Sequence, residues 1–286
     1  DLHRVTANKM WSKIKGRSEI IGITNAIHHG TWVDHRMLEL ASACDGTKAR
    51  KQALWKRHLE NKRKLIEFVK QRTGVVLDPN VLLIGFSRRA APYKRSNFIF
   101  TDRSFIEPLL KSGKLQIVFA GKSHPLDDNG KVIVEDIVAM SRKYAGRVVF
   151  LENYDMAIGT MLTRGSDVWL NNPRRPKEAS GTSGMKAAMN GVLNLSILDG
   201  WWPEACHHGV NGWQFGDGFE STKDAVLDKH DFKAFKKVLA QEVLPTFYEH
   251  PDKWIDMMVE SIQSTREAFG VKRMLDEYYS RMYIRK

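Results

Sequence analysis

Lys186 stands in the segment Glu178-Ala179-Ser180-Gly181-Thr182-Ser183-Gly184-Met185-Lys186-Ala187-Ala188-Met189-Asn190-Gly191, where a polar, glycine-containing stretch opens into a short apolar run. An amine flanked by Met185, Ala187 and Ala188 on the first turn of an apolar helix is expected to be partly desolvated. Desolvation lowers its pKa and favours imine chemistry with an aldehyde. The helix start offers free backbone N–H groups and the positive end of the helix dipole, so Thr182 and Gly184 mark a candidate anion site. A capped helix that binds nothing has the same residues, so this segment alone does not decide.

A second cluster lies upstream, in Ser87-Arg88-Arg89-Ala90-Ala91-Pro92-Tyr93-Lys94-Arg95. Four cations within eight residues, just past an apolar run that ends at Phe86, suit a phosphate clamp. Arginine offers bidentate contacts there and lysine a point charge. A solvated basic turn is the plainer alternative. Cys206-His207-His208 is not expected to hold a metal, because adjacent loop side chains rarely converge on one ion. Trp201-Trp202-Pro203 reads as core or cleft wall.

The elements that must position these residues follow from patterning. Short apolar, β-branched runs at 81–86, 115–120, 148–151, 167–170 and 193–196 predict buried parallel strands. Helical segments are expected near 103–112, 132–145, 155–163 and 184–191, so the order is β-α-β-α and the fold class is α/β with a doubly wound parallel, Rossmann-like sheet. In such sheets the ligand sits beyond the strand carboxyl ends, where both clusters fall. A long charged helix over Lys48 to Arg72 precedes this unit, and residues 232–283 are mostly helical. The expected divisions are 1–75, an entry segment and long helix; 76–255, the ligand-binding domain; and 256–286, a helical extension.

Composition bounds the function. The chain has 286 residues, 42% hydrophobic and 27% charged, and a net charge of +12. That charge raises the question of polyanions, but no zinc-finger spacing, ribonucleoprotein signature or basic repeat is present, so phosphate ligands rather than nucleic acid are expected. Two cysteines make no disulfide scaffold, which fits a reducing cytoplasm. No apolar run approaches the roughly 20 residues needed to span a bilayer, and no membrane partner is expected. The N-terminal Asp1 suggests a fragment or a processed chain.

The segment EASGTSGMKAAMNG closely resembles the cofactor site of glycogen and starch phosphorylases. The resemblance implies pyridoxal 5′-phosphate, held as an imine on Lys186. The run from Ser87 to Arg95 resembles the phosphorylase segment that binds substrate and cofactor phosphates; Arg89 and Lys94 have its spacing. The resemblance assigns Arg89 to the substrate phosphate, Lys94 with Arg88 to the cofactor, and Arg89, Lys94 and Lys186 to catalysis. Thr24 to Trp32 is similar to a family segment whose asparagine contacts the reacting glucose, here Asn25, although Ala26 replaces the usual glycine. Phe150 to Tyr154 looks like the strand end whose tyrosine, Tyr154, lies beside the cofactor. Glu178, Ser180 and Gly181 fall where glucose hydroxyls are bound, and Thr182 and Gly184 around the cofactor phosphate. Gly-Thr-Ser-Gly-Met-Lys and Asn171 to Pro176 resemble the short bacterial and archaeal type.

The resemblance implies retaining phosphorolysis of α-1,4-glucan by orthophosphate to α-glucose 1-phosphate. It also implies the second lobe of a two-lobed glycosyltransferase architecture, with a first lobe in the same or a separate chain, and a homo-oligomer. A sugar-nucleotide glycosyltransferase is the rival, but such enzymes tend to carry a ribose-binding glutamate where Lys186 stands, and a lysine cannot accept those hydrogen bonds. A non-catalytic glucan-binding subunit is the third reading. An isolated second lobe is expected to expose apolar surface around Phe269, Met274, Tyr278 and Tyr279.

Overall fold

The computed structural model describes residues 2–283. The five apolar runs form β1 (Leu83–Ser87), β2 (Gln116–Ala120), β3 (Val148–Leu151), β4 (Val168–Asn171) and β5 (Leu193–Ile197), and β6 (Gly212–Phe215) joins them. They make one sheet in the order β3-β2-β1-β4-β5-β6, with every neighbouring pair parallel. The chain runs outward from β1 through β2 to β3 and then returns to β4 on the other side of β1. The order therefore reverses between β1 and β4, and a crevice forms beyond their carboxyl ends.

Alternate strand residues feed two separate cores. Ile84, Phe86, Ile117, Phe119, Val168 and Leu170 pack with Ile106 and Leu110 of the helix Arg103–Lys111 and with Ile137 and Met140 of the helix Asp128–Lys143. Leu83, Val118, Val149, Leu151 and Trp169 pack the other way, against Leu65 and Val69 of the helix Lys48–Thr73 and Ile158 and Leu162 of the helix Met156–Gly165. With both faces covered, β1, β2, β4 and β5 are buried at every residue, as a parallel sheet requires. The long helix stops at Gly74, whose φ of +74° lets its N–H reach back to the Lys70 carbonyl.

The helix Pro251–Arg266 packs Ile255, Met257, Met258 and Ile262 into the core. One expectation about the C-terminal region changes. Phe269 is buried rather than exposed, because its ring meets Trp201 edge-on at 4.8 Å. Tyr279 is exposed as expected, Met274 and Tyr278 are half-buried, and the other large apolar side chains exposed there are Leu275, Met282 and Tyr283.

Candidate functional site

The loops that leave β1 and β4 meet at the reversal of strand order. After β1 the chain makes a tight turn at Pro92–Lys94, and Arg95 takes a left-handed backbone with φ +51°. Its buried guanidinium donates to the carbonyls of Asn172 (2.7 Å) and Pro173 (2.9 Å) and pairs with Asp228 and Asp231. Asn172 answers by donating its amide to the carbonyls of Lys94 (3.2 Å) and Arg95 (2.7 Å). The two loops are thereby held in one register.

That register brings Arg88 and Lys94 onto Glu178. The Lys94 ammonium donates to Glu178 Oε2 at 3.0 Å, and Arg88 Nη1 lies 3.3 Å from the same oxygen. Arg88 is buried, and burial pushes its pKa down against the pull of Glu178. Although Nη1 is at ion-pair distance, its geometry makes no hydrogen bond, and the nearby buried Ser180 hydroxyl is also without a partner. Arg89, one residue on, is exposed. Beneath Glu178, Asp199 at the end of β5 accepts the backbone N–H groups of Glu178 (2.9 Å) and Gly200 (2.8 Å). Burial pushes its carboxyl up to about 7.

Gly181 begins the helix Thr182–Ala188 two residues earlier than expected, by taking a left-handed conformation with φ +78°. A side chain at Gly181 would come within 3.1 Å of Arg88 Nη2, and one at Gly184 would strike Asn194 and Trp201 at 2.7 Å. Both glycines therefore permit close approach, one to the cation and one to the sheet. Trp201 and Trp202 are core residues.

Lys186 emerges from this helix half-buried, its ammonium 3.3 Å from the centre of the Trp32 ring. Burial lowers its pKa to about 8. Asn190 fixes the pairing by donating both to the Trp32 carbonyl (3.1 Å) and to the Lys186 carbonyl (2.7 Å). Tyr154 arrives from the end of β3, and its hydroxyl and the Trp32 ring both crowd the open Cα of Gly159. Asn25 is exposed on the adjoining segment, with its side chain turned back to the N–H of Ala26 (2.8 Å) and its carbonyl held by Arg273. That segment is anchored where Ile27 pairs with Gly270.

The structure thus unites Arg88, Lys94, Glu178 and Gly181 in one cluster, and Lys186 with Tyr154 through Trp32 and Gly159. Among the described residues, neither Arg89 nor Asn25 bonds to either group. Trp32, Arg95, Asn172 and Asp199 are the positioning residues not singled out from sequence. Trp32, Arg95 and Asn172 lay inside segments already marked by charge or resemblance, but neither type nor spacing separates a buried brace from a solvated neighbour.

A lysine with a lowered pKa and two cations that share one carboxylate are carried by the loops and the helix that follow β1 and β4, where the strand order of a doubly wound α/β sheet reverses. The profile of the carbohydrate phosphorylase family matches residues 11–208, and the chain belongs to that family. It is 38% identical to the glycogen phosphorylase of Aquifex aeolicus, covering 98% of this chain and 46% of the relative. With the maltodextrin phosphorylase of Thermococcus litoralis it shares 37% identity over 99% of this chain and 38% of the relative. With the glycogen phosphorylase of Mycobacterium tuberculosis it shares 35% over 98% and 37%. The chain spans less than half the length of each of these three. No helix among the described residues is long and apolar enough to cross a membrane.

Proposed function

We propose that the protein to which this chain belongs catalyses retaining phosphorolysis of α-1,4-glucan by orthophosphate to α-glucose 1-phosphate, and that this chain holds pyridoxal 5′-phosphate covalently on Lys186. The observation that carries the reading is Lys186 itself, an amine with its pKa lowered to about 8, on a helix that starts beside Arg88. The residues fit the cofactor. Arg88 Nη1 and the Ser180 hydroxyl are buried donors without hydrogen bonds, and Gly181 leaves open the space next to the guanidinium. Arg88, Lys94, Thr182 and Gly184 would hold the phosphate, and Tyr154 would flank the ring.

When bound, the cofactor supplies a phosphate that exchanges a proton with the substrate phosphate. The chain's own residues make that arrangement tenable. Two phosphates held close together repel, and Arg88, Lys94 and the exposed Arg89 offset the charge, with Arg89 binding orthophosphate. Glu178 is shared by Arg88 and Lys94 here, and an arriving phosphate relieves it of that pairing, leaving it, with Ser180, Gly181 and Asn25, to bind glucose hydroxyls. The remaining length of the relatives corresponds to a first lobe that completes the glucan side, in the same or a separate chain. The reading carries with it a cytoplasmic homo-oligomer.

The test is phosphate-dependent release of glucose 1-phosphate from maltodextrin. We expect it from the full-length protein and nearly none from residues 1–286 alone, since losing one wall of the cleft removes orientation worth several kcal/mol. Full activity from this chain alone, or none from the full-length protein with cofactor, contradicts the reading.

A further inference from the structure

On the far side of the Trp32 turn, the helices Lys48–Thr73 and Met156–Gly165 and the segment 30–35 enclose a pocket of about 480 Å³. That volume lies in the range of small-molecule sites. Its charged lining is Arg57, Lys64 and Arg164 against a single carboxylate, Asp34. Asp34 is already engaged: it takes Arg57 Nε (2.8 Å) and Asn61 (2.7 Å) on one oxygen and the Arg36 N–H (3.0 Å) on the other. Burial pushes Asp34 up, yet these hydrogen bonds hold it below its ordinary pKa. Glu60 pairs with Arg57 as well, at 2.8 Å, so Arg57, Lys64 and Arg164 against Asp34 and Glu60 leave one positive charge over.

Arg164 is the unusual one. Its half-buried guanidinium donates to the carbonyls of Trp32 (3.1 Å), Val33 (3.1 Å) and Thr31 (3.4 Å). Among the described residues it has no carboxylate at ion-pair distance, and burial pushes its pKa down, though an arginine stays charged. Asp34 pulls its pKa the other way without reaching ion-pair distance, and three carbonyl dipoles do not make up a full counter-charge in a partly desolvated site. Lys64, exposed at the rim, makes no ion pair among the described residues either. Thr160 adds a hydroxyl to the wall.

We propose that this pocket is a second oxyanion site, taking orthophosphate or the phosphate group of a small ester between Arg164 and Lys64, and that its occupancy is felt at Lys186 through Trp32. The path is short. Arg164 grips the carbonyls of residues 31–33, and the ring of the middle residue lies on the Lys186 ammonium. An oxyanion that draws on the guanidinium competes with those carbonyls and shifts the turn that carries Trp32. By linkage, whatever changes the packing of Trp32 on Lys186 changes affinity at the pocket by the same factor. The binding itself does not depend on Lys186 carrying a cofactor.

Calorimetric titration of the cofactor-free chain with orthophosphate, and separately with glycerol 3-phosphate, tests this. In Lys94→Ala, which weakens the site at the strand ends, we expect one phosphate site to persist and to perturb a fluorescence signal that is missing from Trp32→Phe. Adding Arg164→Gln or Lys64→Gln should weaken that remaining site about tenfold or more, as expected for a lost charge-assisted contact. Lys64 is exposed, so its variant keeps the fold and the test stands if Arg164→Gln does not fold. Tighter binding of glycerol 3-phosphate than of orthophosphate identifies an ester as the ligand, and equal binding identifies free phosphate. If the Lys94→Ala chain binds neither, or binds both regardless of Arg164 and Lys64, the inference is wrong. If the proposed cofactor role fails instead, the titration that depends on Lys64 and Arg164 remains.

Discussion

Two buried charge clusters sit at opposite ends of the same sheet, and they are satisfied to different degrees. At the amino ends of β1 and β4, Asp167 takes Lys62 at 2.5 Å and the Leu83 N–H at 2.8 Å on one oxygen, with His58 Nε2 at 2.9 Å on the other. Lys62 also donates to the Val81 carbonyl at 2.8 Å, and all three side chains are fully buried. At the carboxyl ends, two cations share one oxygen of Glu178 and a buried guanidinium nitrogen goes without a hydrogen bond. The carboxylate and the ammonium of the first cluster are each hydrogen-bonded to an opposite or polar partner, and only the far ring nitrogen of His58, Nδ1, is left without one, so that cluster pins the long helix to the sheet. In the second the unbonded atom belongs to a cation, and a charged donor in reserve is what the proposed phosphate would use.

Removing one partner from each cluster should have opposite consequences for folding and for binding. Lys62→Met should cost about 3–5 kcal/mol in urea unfolding, because it strands the Asp167 carboxylate in the interior. Lys94→Ala should cost roughly 1 kcal/mol or less, since Glu178 keeps Arg88, while weakening orthophosphate and cofactor binding at least tenfold. Equal stability losses at the two sites would erase the distinction. Arg89→Ala, at an exposed position, should leave stability unchanged and raise the phosphate requirement; unaltered phosphate kinetics in the full-length protein would remove Arg89 from the clamp.

Smaller effects come from pH. Lys186 in the cofactor-free chain should react with an amine reagent with a midpoint near pH 8, well below the usual lysine value of 10.5, as followed by peptide mapping across pH. Asp199 has a folded pKa of about 7 against an ordinary 3.8, so the folded chain keeps a proton that the unfolded chain releases between those values. The stability it contributes is present below about pH 4 and is lost as pH rises through 7. Asp199→Asn should flatten unfolding free energy across that window.

The sheet was legible because buried parallel strands are written as β-branched runs, and five of its six strands are of that kind. Gly212–Phe215 escaped because Gly212 and Gln214 break the pattern; it is a strand by virtue of its pairing with β5. The lysine and its glycine loop were legible from type and order. Which of two adjacent arginines turns inward was not, since Arg88 and Arg89 differ in exposure and not in chemistry. Phe269 misled for the same reason: an aromatic on an amphipathic stretch faces whatever is nearest, and Trp201 is nearest.

The most direct test of the central claim is borohydride reduction of the cofactor-loaded protein followed by peptide mapping. One pyridoxyl group is expected, on Lys186 in the peptide that follows Gly184. A pyridoxyl group on another lysine, or none on protein that retains the cofactor, would contradict it.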